Sequence, residues 1–224
     1  MYIQFLVEDI SAGELIKIIM AKYNAEKPPC CIEFDVRSYK GIGGFPKGKS
    51  AKNAKAEQLL NDLPKRLNAL NASLKCKDSP SIFVVLDNDT RDTEDFAKKL
   101  NEIITREKIS VDTVFCIAVE EMEAWLLGDY NALRLAYPPV SGRIASKHSG
   151  YSQDSICGTW EFLADMLTEN GMGSFMRQNP TAFDIGRCKS QWAKSIGAYM
   201  DIRANASPSF QSFIEALDAR VHIS

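Results

Sequence analysis

Long hydrophobic runs are missing from this chain. Its apolar stretches, such as Phe115-Cys116-Ile117-Ala118-Val119, fall far short of the ~18 residues that a membrane-crossing helix needs. Histidine is scarce, with only His148 and His222, and the six cysteines (30, 31, 76, 116, 157 and 188) show no Cys-x-x-Cys spacing. Neither a zinc site nor a Cys–His nucleophile is well supplied, and reduced, largely interior thiols are expected. Any metal chemistry must then use oxygen ligands, which points to Mg2+ or Mn2+ rather than zinc. Residues 1–10 hold no basic n-region, and Glu8 and Asp9 interrupt any apolar stretch there. No signal peptide is read, so a cytoplasmic protein without a membrane partner is expected.

What is present is ordinary in bulk: 45% hydrophobic, 25% charged and 9% aromatic residues over 224 positions. That excludes a disordered chain, a collagen-like fibre and a disulfide-framework miniprotein, and fits one α/β core with an appendage. The net charge of −2 averages unlike segments. Residues 37–77 carry ten basic groups against Glu57 and Asp62, a balance of +8, while residues 78–129 carry thirteen acids against five basic groups, a balance of −8. A basic segment beside an acidic one suits a phosphate-handling metal site, or else two solvated helix faces.

Strand signals lie at 2–7, 31–36, 81–86 and 114–119; the last two are almost continuously apolar, as strands buried on both faces are. Between them run helical patterns. Ser11-Ala12-Gly13-Glu14 fits a capping box for the first helix. Residues 52–74 repeat leucine at three- and four-residue spacing, with a kink or restart expected at Pro64. A third helix starts near Asp92–Thr93 and turns Phe96, Leu100, Ile103 and Ile104 inward. The order β-α-β-α-β-α-β predicts a parallel four-stranded sheet flanked by helices on both faces, spanning residues 1–137. A Pro-, Gly- and Ser-rich loop is expected at 138–157. A helical C-terminal region at 158–224 follows, with helices near 158–169, 187–204 and 208–220. In the last, Ser207 is the expected N-cap, Pro208 opens the helix, and Phe210, Phe213, Ile214 and Leu217 form the buried face. Trp192 and Ile196 read as core rather than as a base-stacking platform.

The strand endings carry the functional signal. The first is followed by Glu8, the third runs into Asp87-Asn88-Asp89, and the fourth into Glu120-Glu121-Met122-Glu123. Parallel strands deliver their C-terminal ends to one edge, where ligands bind. Glu8, Asp87, Asp89, Glu120 and Glu123 are therefore candidate ligands of a hard divalent cation, with one carboxylate left for proton transfer. Arg37, Lys40, Lys47, Lys49 and, from the helical tail, Lys189 are candidate phosphate or nucleic-acid contacts. Gly43 to Ser50 matches the Walker A expression literally, although it follows the second strand. The loop therefore grips nucleic acid or phosphate, is merely solvated, or binds an NTP.

Phe5-Leu6-Val7-Glu8 and Val84-Val85-Leu86-Asp87-Asn88-Asp89 resemble the Glu and Asp-x-Asp motifs of the Toprim-like fold. Ile117 to Asp129, with its Glu123-x-Trp125-Leu126-x-x-Asp129 element, and the closing Ser207-x-Ser209-Phe210 helix resemble an uncharacterised bacterial family of Toprim-like proteins. Members are often encoded beside AAA- or ABC-type ATPases in phage-defence settings. The resemblance implies a Toprim-like sheet, with Glu8 as general acid/base and Asp87 and Asp89 holding magnesium. Glu120 or Glu123 would serve a second metal. It departs from the Toprim pattern at Asp9, where glycine is usual, and in the loop at 41–49. The expected activity is a Mg-dependent nuclease or phosphodiesterase acting on DNA or RNA. A non-catalytic subunit of an ATPase complex and an NTP-binding protein are the alternatives.

Overall fold

The computed structural model describes residues 1–26, 32–45, 58–89, 91–119, 121–155 and 158–221. Its centre is a sheet of β1 (Tyr2–Val7), β2 (Glu33–Ser38), β3 (Pro80–Asp87) and β4 (Asp112–Ala118). All pairs are parallel and the spatial order is β2-β1-β3-β4. Parallel neighbours cannot be joined by a tight hairpin, so helical crossovers intervene. These are α1 (Ile10–Glu26), α2 (Leu59–Ser73) and α3 (Thr93–Glu107). The chain moves outward from β1 to β2, then returns to place β3 on the other side of β1. The switch point thus falls between β1 and β3.

Alternation of side chains splits the core into two layers. Ile3, Phe5, Val7, Phe83, Val85, Cys116 and Ala118 face α1 and the C-terminal helices. Leu6, Ile82, Val84 and Leu86 face the leucines of α2 and the Phe96, Leu100 and Ile103 stripe of α3. Burial on both faces is why β3 reads as an unbroken apolar run, whereas β4, expected to be the same, is an edge strand in which only Cys116 and Ala118 are buried. The α/β class, the four parallel strands, the flanking helices and the helical extension therefore stand as expected.

The remaining helices are α4 (Glu123–Leu127), α5 (Tyr130–Ala136), α6 (Ser141–His148), α7 (Thr159–Leu167), α8 (Gly171–Gln178), α9 (Ala182–Tyr199) and α10 (Pro208–Val221). The expected loop at 138–157 is thus partly helical, because Pro138–Val140 forms a 3-10 turn that leads into α6. Helix α8 was not expected, and α9 starts five residues before 187. Each of α6 and α8 has a single fully buried anchor, Ile144 and Phe175, so no 3.6-residue stripe marks it. The start of α9 is set by a capping box of Thr181 and Asp184. Helix α1 is capped differently from expectation. Its Ala12 N–H donates to Asp9 Oδ1 (2.8 Å), and Ser11 Oγ donates to the same oxygen (2.7 Å). Helix α2 runs through Pro64 as one helix. Among the described residues, no helix is long and apolar enough to cross a membrane.

Candidate functional site

Glu8 follows the last residue of β1, Asp87 is the last residue of β3, and Glu123 opens α4 just beyond β4. The register Val7↔Val85 and Asp87↔Ala118 sets these ends side by side at the switch point, where ligands of open α/β sheets bind. The Asp87 N–H donates to Glu8 Oε2 (3.4 Å), and the Met122 N–H donates to Asp87 Oδ1 (3.0 Å). Asp87 therefore ties β3 to both neighbouring strand ends. Asp87 is 9% exposed and Glu123 2%.

The cation in this cluster comes from the far end of the chain. Helix α9 lies along α1, with Gly197 allowing close approach to Leu15 and Ile18 and Lys194 pairing with Glu14 (3.4 Å). That packing brings Lys189 to the start of α1, where its Nζ stands 3.2 Å from Glu123 Oε2. The oxygen is buried and has no hydrogen bond, so the contact is chiefly electrostatic.

Burial and mutual repulsion raise the proton affinity of the acids. Glu8 is pushed up to about 7, first by burial and then by the charges of Asp89 and Asp9. Asp87 is held well above the usual carboxylate range by burial and by Glu8 and Glu123. Glu123 is pushed up to about 7 by burial, with Lys189 pulling the other way. For Lys189, burial favours the neutral amine, but the charges of Glu123, Asp87, Glu121 and Asp9 outweigh it and its pKa is raised.

The other expected site residues divide. Asp89 turns outward in the left-handed region (φ 50°) and pairs with Arg91 Nη1 at 2.6 Å, although its charge still reaches Glu8. Glu121 accepts from Thr159 Oγ1 (2.9 Å) and the Trp160 N–H (3.0 Å), so it holds the start of α7. Arg37 lies on β2 and Lys40 just beyond it, and the following Gly41 N–H donates to the Glu8 carbonyl (3.0 Å). Gly41 and Gly43, both at positive φ, fold the loop back on α2. There Leu59 and Leu60 N–H donate to the Gly41 and Ile42 carbonyls, at 3.0 and 2.8 Å. Lys47, Lys49, Glu120 and the 46–50 part of the Walker-like stretch lie outside the described residues.

Sequence reasoning missed Asp9 and Arg91. Asp9 just before a helical pattern is itself an N-cap signal, but Ser11 offered a competing one. It also missed what the Glu-x-Trp-Leu-x-x-Asp element does. Only Glu123 joins the acid cluster. Trp125 is fully buried, its ring centroid 5.3 Å from that of Phe210 and 5.1 Å from that of Phe213, and its Nε1 donates to Ser209 Oγ (3.0 Å). Asn205 Nδ2 donates to the Trp125 carbonyl (2.8 Å). Asp129 caps α5 through the Ala132 N–H (2.9 Å) and accepts from the Asp201 N–H (2.7 Å). The two motifs are halves of one clamp that fixes α4 and hence Glu123.

Among the described residues, no three Asp, Glu, His or Cys side chains already stand as a metal-holding group. The donors are nevertheless of the type that a hard divalent cation takes: carboxylates only, mutually repelling, with one buried Glu123 oxygen lacking a hydrogen bond. No curated protein and no solved structure matches the chain. A family model matches it over residues 7–218, from the end of β1 to the last turns of α10. The chain therefore belongs to the family described as a domain of unknown function, DUF4276.

Proposed function

We propose that this chain is a Toprim-like phosphodiesterase that uses Mg2+ or Mn2+ and acts on nucleic acid. The observation that carries the reading is the group of mutually repelling carboxylates, half-buried Glu8 with buried Asp87 and Glu123, at the switch point of a parallel sheet. Lys189 faces three acids with one positive charge, and a divalent cation bound among them offsets the repulsion that one ammonium leaves. Asp87 and Glu123, with Asp89 at the rim, are the residues to hold the ion. A bound divalent ion supplies Lewis acidity and an activated water near neutral pH.

The chain's own groups supply the rest. Glu8, with a pKa pushed up to about 7, can give or take a proton at the scissile oxygen near neutrality. Lys189 balances the charge of Glu123 and lies at hand for a phosphate oxygen. Arg37 and Lys40, on the β2 side of the edge, hold the nucleic-acid backbone, and Lys47 and Lys49 remain contacts proposed from the sequence alone.

The test is cleavage of DNA and RNA with Mg2+ or Mn2+ by wild type and Asp87→Asn. That substitution keeps the oxygen that accepts from Met122 while removing the charge. A drop of roughly 100-fold or more is expected, the scale of losing one group that stabilises transition-state charge. Mn2+ should also raise the melting temperature of wild type and not of the variant. Equal behaviour of the two proteins in both assays would overturn the reading.

A further inference from the structure

The two edges of the sheet are built in opposite ways. On the β2 edge, Glu33, Asp35 and Arg37 place an exposed charge at every second residue, a common device for keeping a strand edge single. The β4 edge has no such protection. From Thr113 to Ala118 it carries no charge, no proline and no glycine. Asp112, at its start, is engaged by Arg220 Nη2 (2.9 Å) and Ser81 Oγ (2.8 Å).

The backbone direction of β4 follows from one bond. The Asn88 N–H donates to the Ala118 carbonyl (3.0 Å), so Ala118 points its backbone at β3. N–H and C=O alternate sides along a strand. Val114 and Cys116 therefore also point at β3, while Thr113, Phe115 and Ile117 point outward. Among the described residues, no turn, loop or cap backbone–backbone hydrogen bond reaches the N–H or C=O of these three, although the Thr113 hydroxyl donates to the Val111 carbonyl (2.9 Å). Beside them, an open groove runs between β4 and α10, lined by Val114, Cys116, Phe213 and Ala216 and, at its polar end, by Asp154 and Ser209.

We infer that β4 is the pairing surface for a second copy of this chain, joined edge to edge and antiparallel. A row of outward N–H and C=O groups is satisfied in register only by another extended strand, and an uncharged β-branched and aromatic edge is complementary to itself. A two-fold axis at Phe115 sets it opposite the partner's Phe115 and sets Thr113 opposite the partner's Ile117. Outward groups then meet outward groups throughout, so each pair exchanges both of its N–H···O bonds. Asp112 falls opposite the partner's Ala118, so the two Asp112 carboxylates do not face each other across the seam. The two sheets merge into one of eight strands. Because the pairing is antiparallel, the two acid clusters face opposite ends of it. The inference is independent of what those clusters do.

Analytical ultracentrifugation of the full chain tests it. Across the micromolar range, wild type should sediment at twice the 25.0 kDa monomer mass. Thr113→Pro removes one outward N–H, at an edge position where proline is tolerated, and should sediment as a monomer with an unchanged circular dichroism spectrum. A monomeric wild type, or a dimer that survives in folded Thr113→Pro, overturns the inference. If that variant does not fold, hydrogen exchange on wild type decides. The amides of Thr113, Phe115 and Ile117 should gain protection as concentration rises, and no gain overturns the pairing.

Discussion

Lys189 carries the positive charge that lets Glu123 stay buried, and the two can be pulled apart experimentally. Removing one member of a buried ion pair strands the other, at a cost of about 3–5 kcal/mol. Lys189→Met should therefore lower the melting temperature by roughly 10 °C in a chain of this length. The double variant Lys189→Met/Glu123→Gln should recover most of that loss, which melting curves of the three proteins would show. The acids also set a pH dependence with a definite sign. Glu8 and Glu123 titrate at about 7 when folded, against about 4.3 unfolded, so between those values the folded state holds protons that the unfolded state has released. Stability contributed by these groups is complete below about pH 4, falls as pH rises to about 7, and is then flat, a loss of a few kcal/mol. A bound divalent ion opposes this by favouring the ionised acids. Mg2+ or Mn2+ should thus raise the melting temperature more at about pH 8 than at about pH 5, and an equal shift at both would argue against binding at these carboxylates.

At the scale of elements, the short helix α4 is held less by its own five residues than by the segment 201–210 that grips it. Gly128, at its end, is where the grip is tightest. A Cβ there would stand 2.0 Å from Asn205 Oδ1 and 3.0 Å from Ser207 Cβ. Gly128→Ala should cost about 1–3 kcal/mol, the usual range for overpacking a filled site, and should weaken any metal-linked stabilisation because Glu123 moves with α4. Paired thermal melts with and without Mn2+ would measure both effects. The same clamp shows what was legible in the sequence. β1, β3, β4 and α1 to α3 were readable because each buries residues in a regular pattern, and β2 because its half-buried Phe34 and Val36 alternate with exposed charges. Ser207 was readable as a cap and Asp92 as the place where α3 begins, and in the structure each accepts a hydrogen bond from the N–H three residues on. The gathering of Glu8 and Asp87 followed from parallel strands alone. The role of Trp125, the pairing of Asp89 with Arg91 and the use of Asp9 as a cap were not readable. The first depends on a contact between segments 84 residues apart, the second on the left-handed turn at Asp89, and the third on a choice between two neighbouring cap residues.

At the scale of the molecule, the helical tail is part of the core rather than an attachment to it. The layer that covers one face of the sheet contains Ile3, Phe5, Val7, Phe83 and Val85 together with Trp192, Ile196, Phe210, Phe213, Ile214 and Leu217. Phe213 makes ring contacts with Phe5 (6.3 Å) and Phe83 (6.1 Å), so α10 lies directly on the central strands. Cutting the chain after residue 137 would therefore leave an α/β unit whose apolar face meets water. Fully burying one such side chain is worth about 1.5–3 kcal/mol, so exposing even a handful exceeds the whole stability of an ordinary domain. Residues 1–137 alone should be insoluble, or should lack cooperative unfolding and near-ultraviolet circular dichroism. Adding residues 138–224 as a separate chain should restore both, because that segment carries the missing surface, Ile144 included, and its contacts are noncovalent. The restored complex should also regain Mn2+-dependent stabilisation, since Lys189 arrives with the second fragment. A 1–137 fragment that unfolds cooperatively by itself would show instead that the sheet and its first three helices form a complete core. Lys189 would then reach the acid cluster from a separable unit.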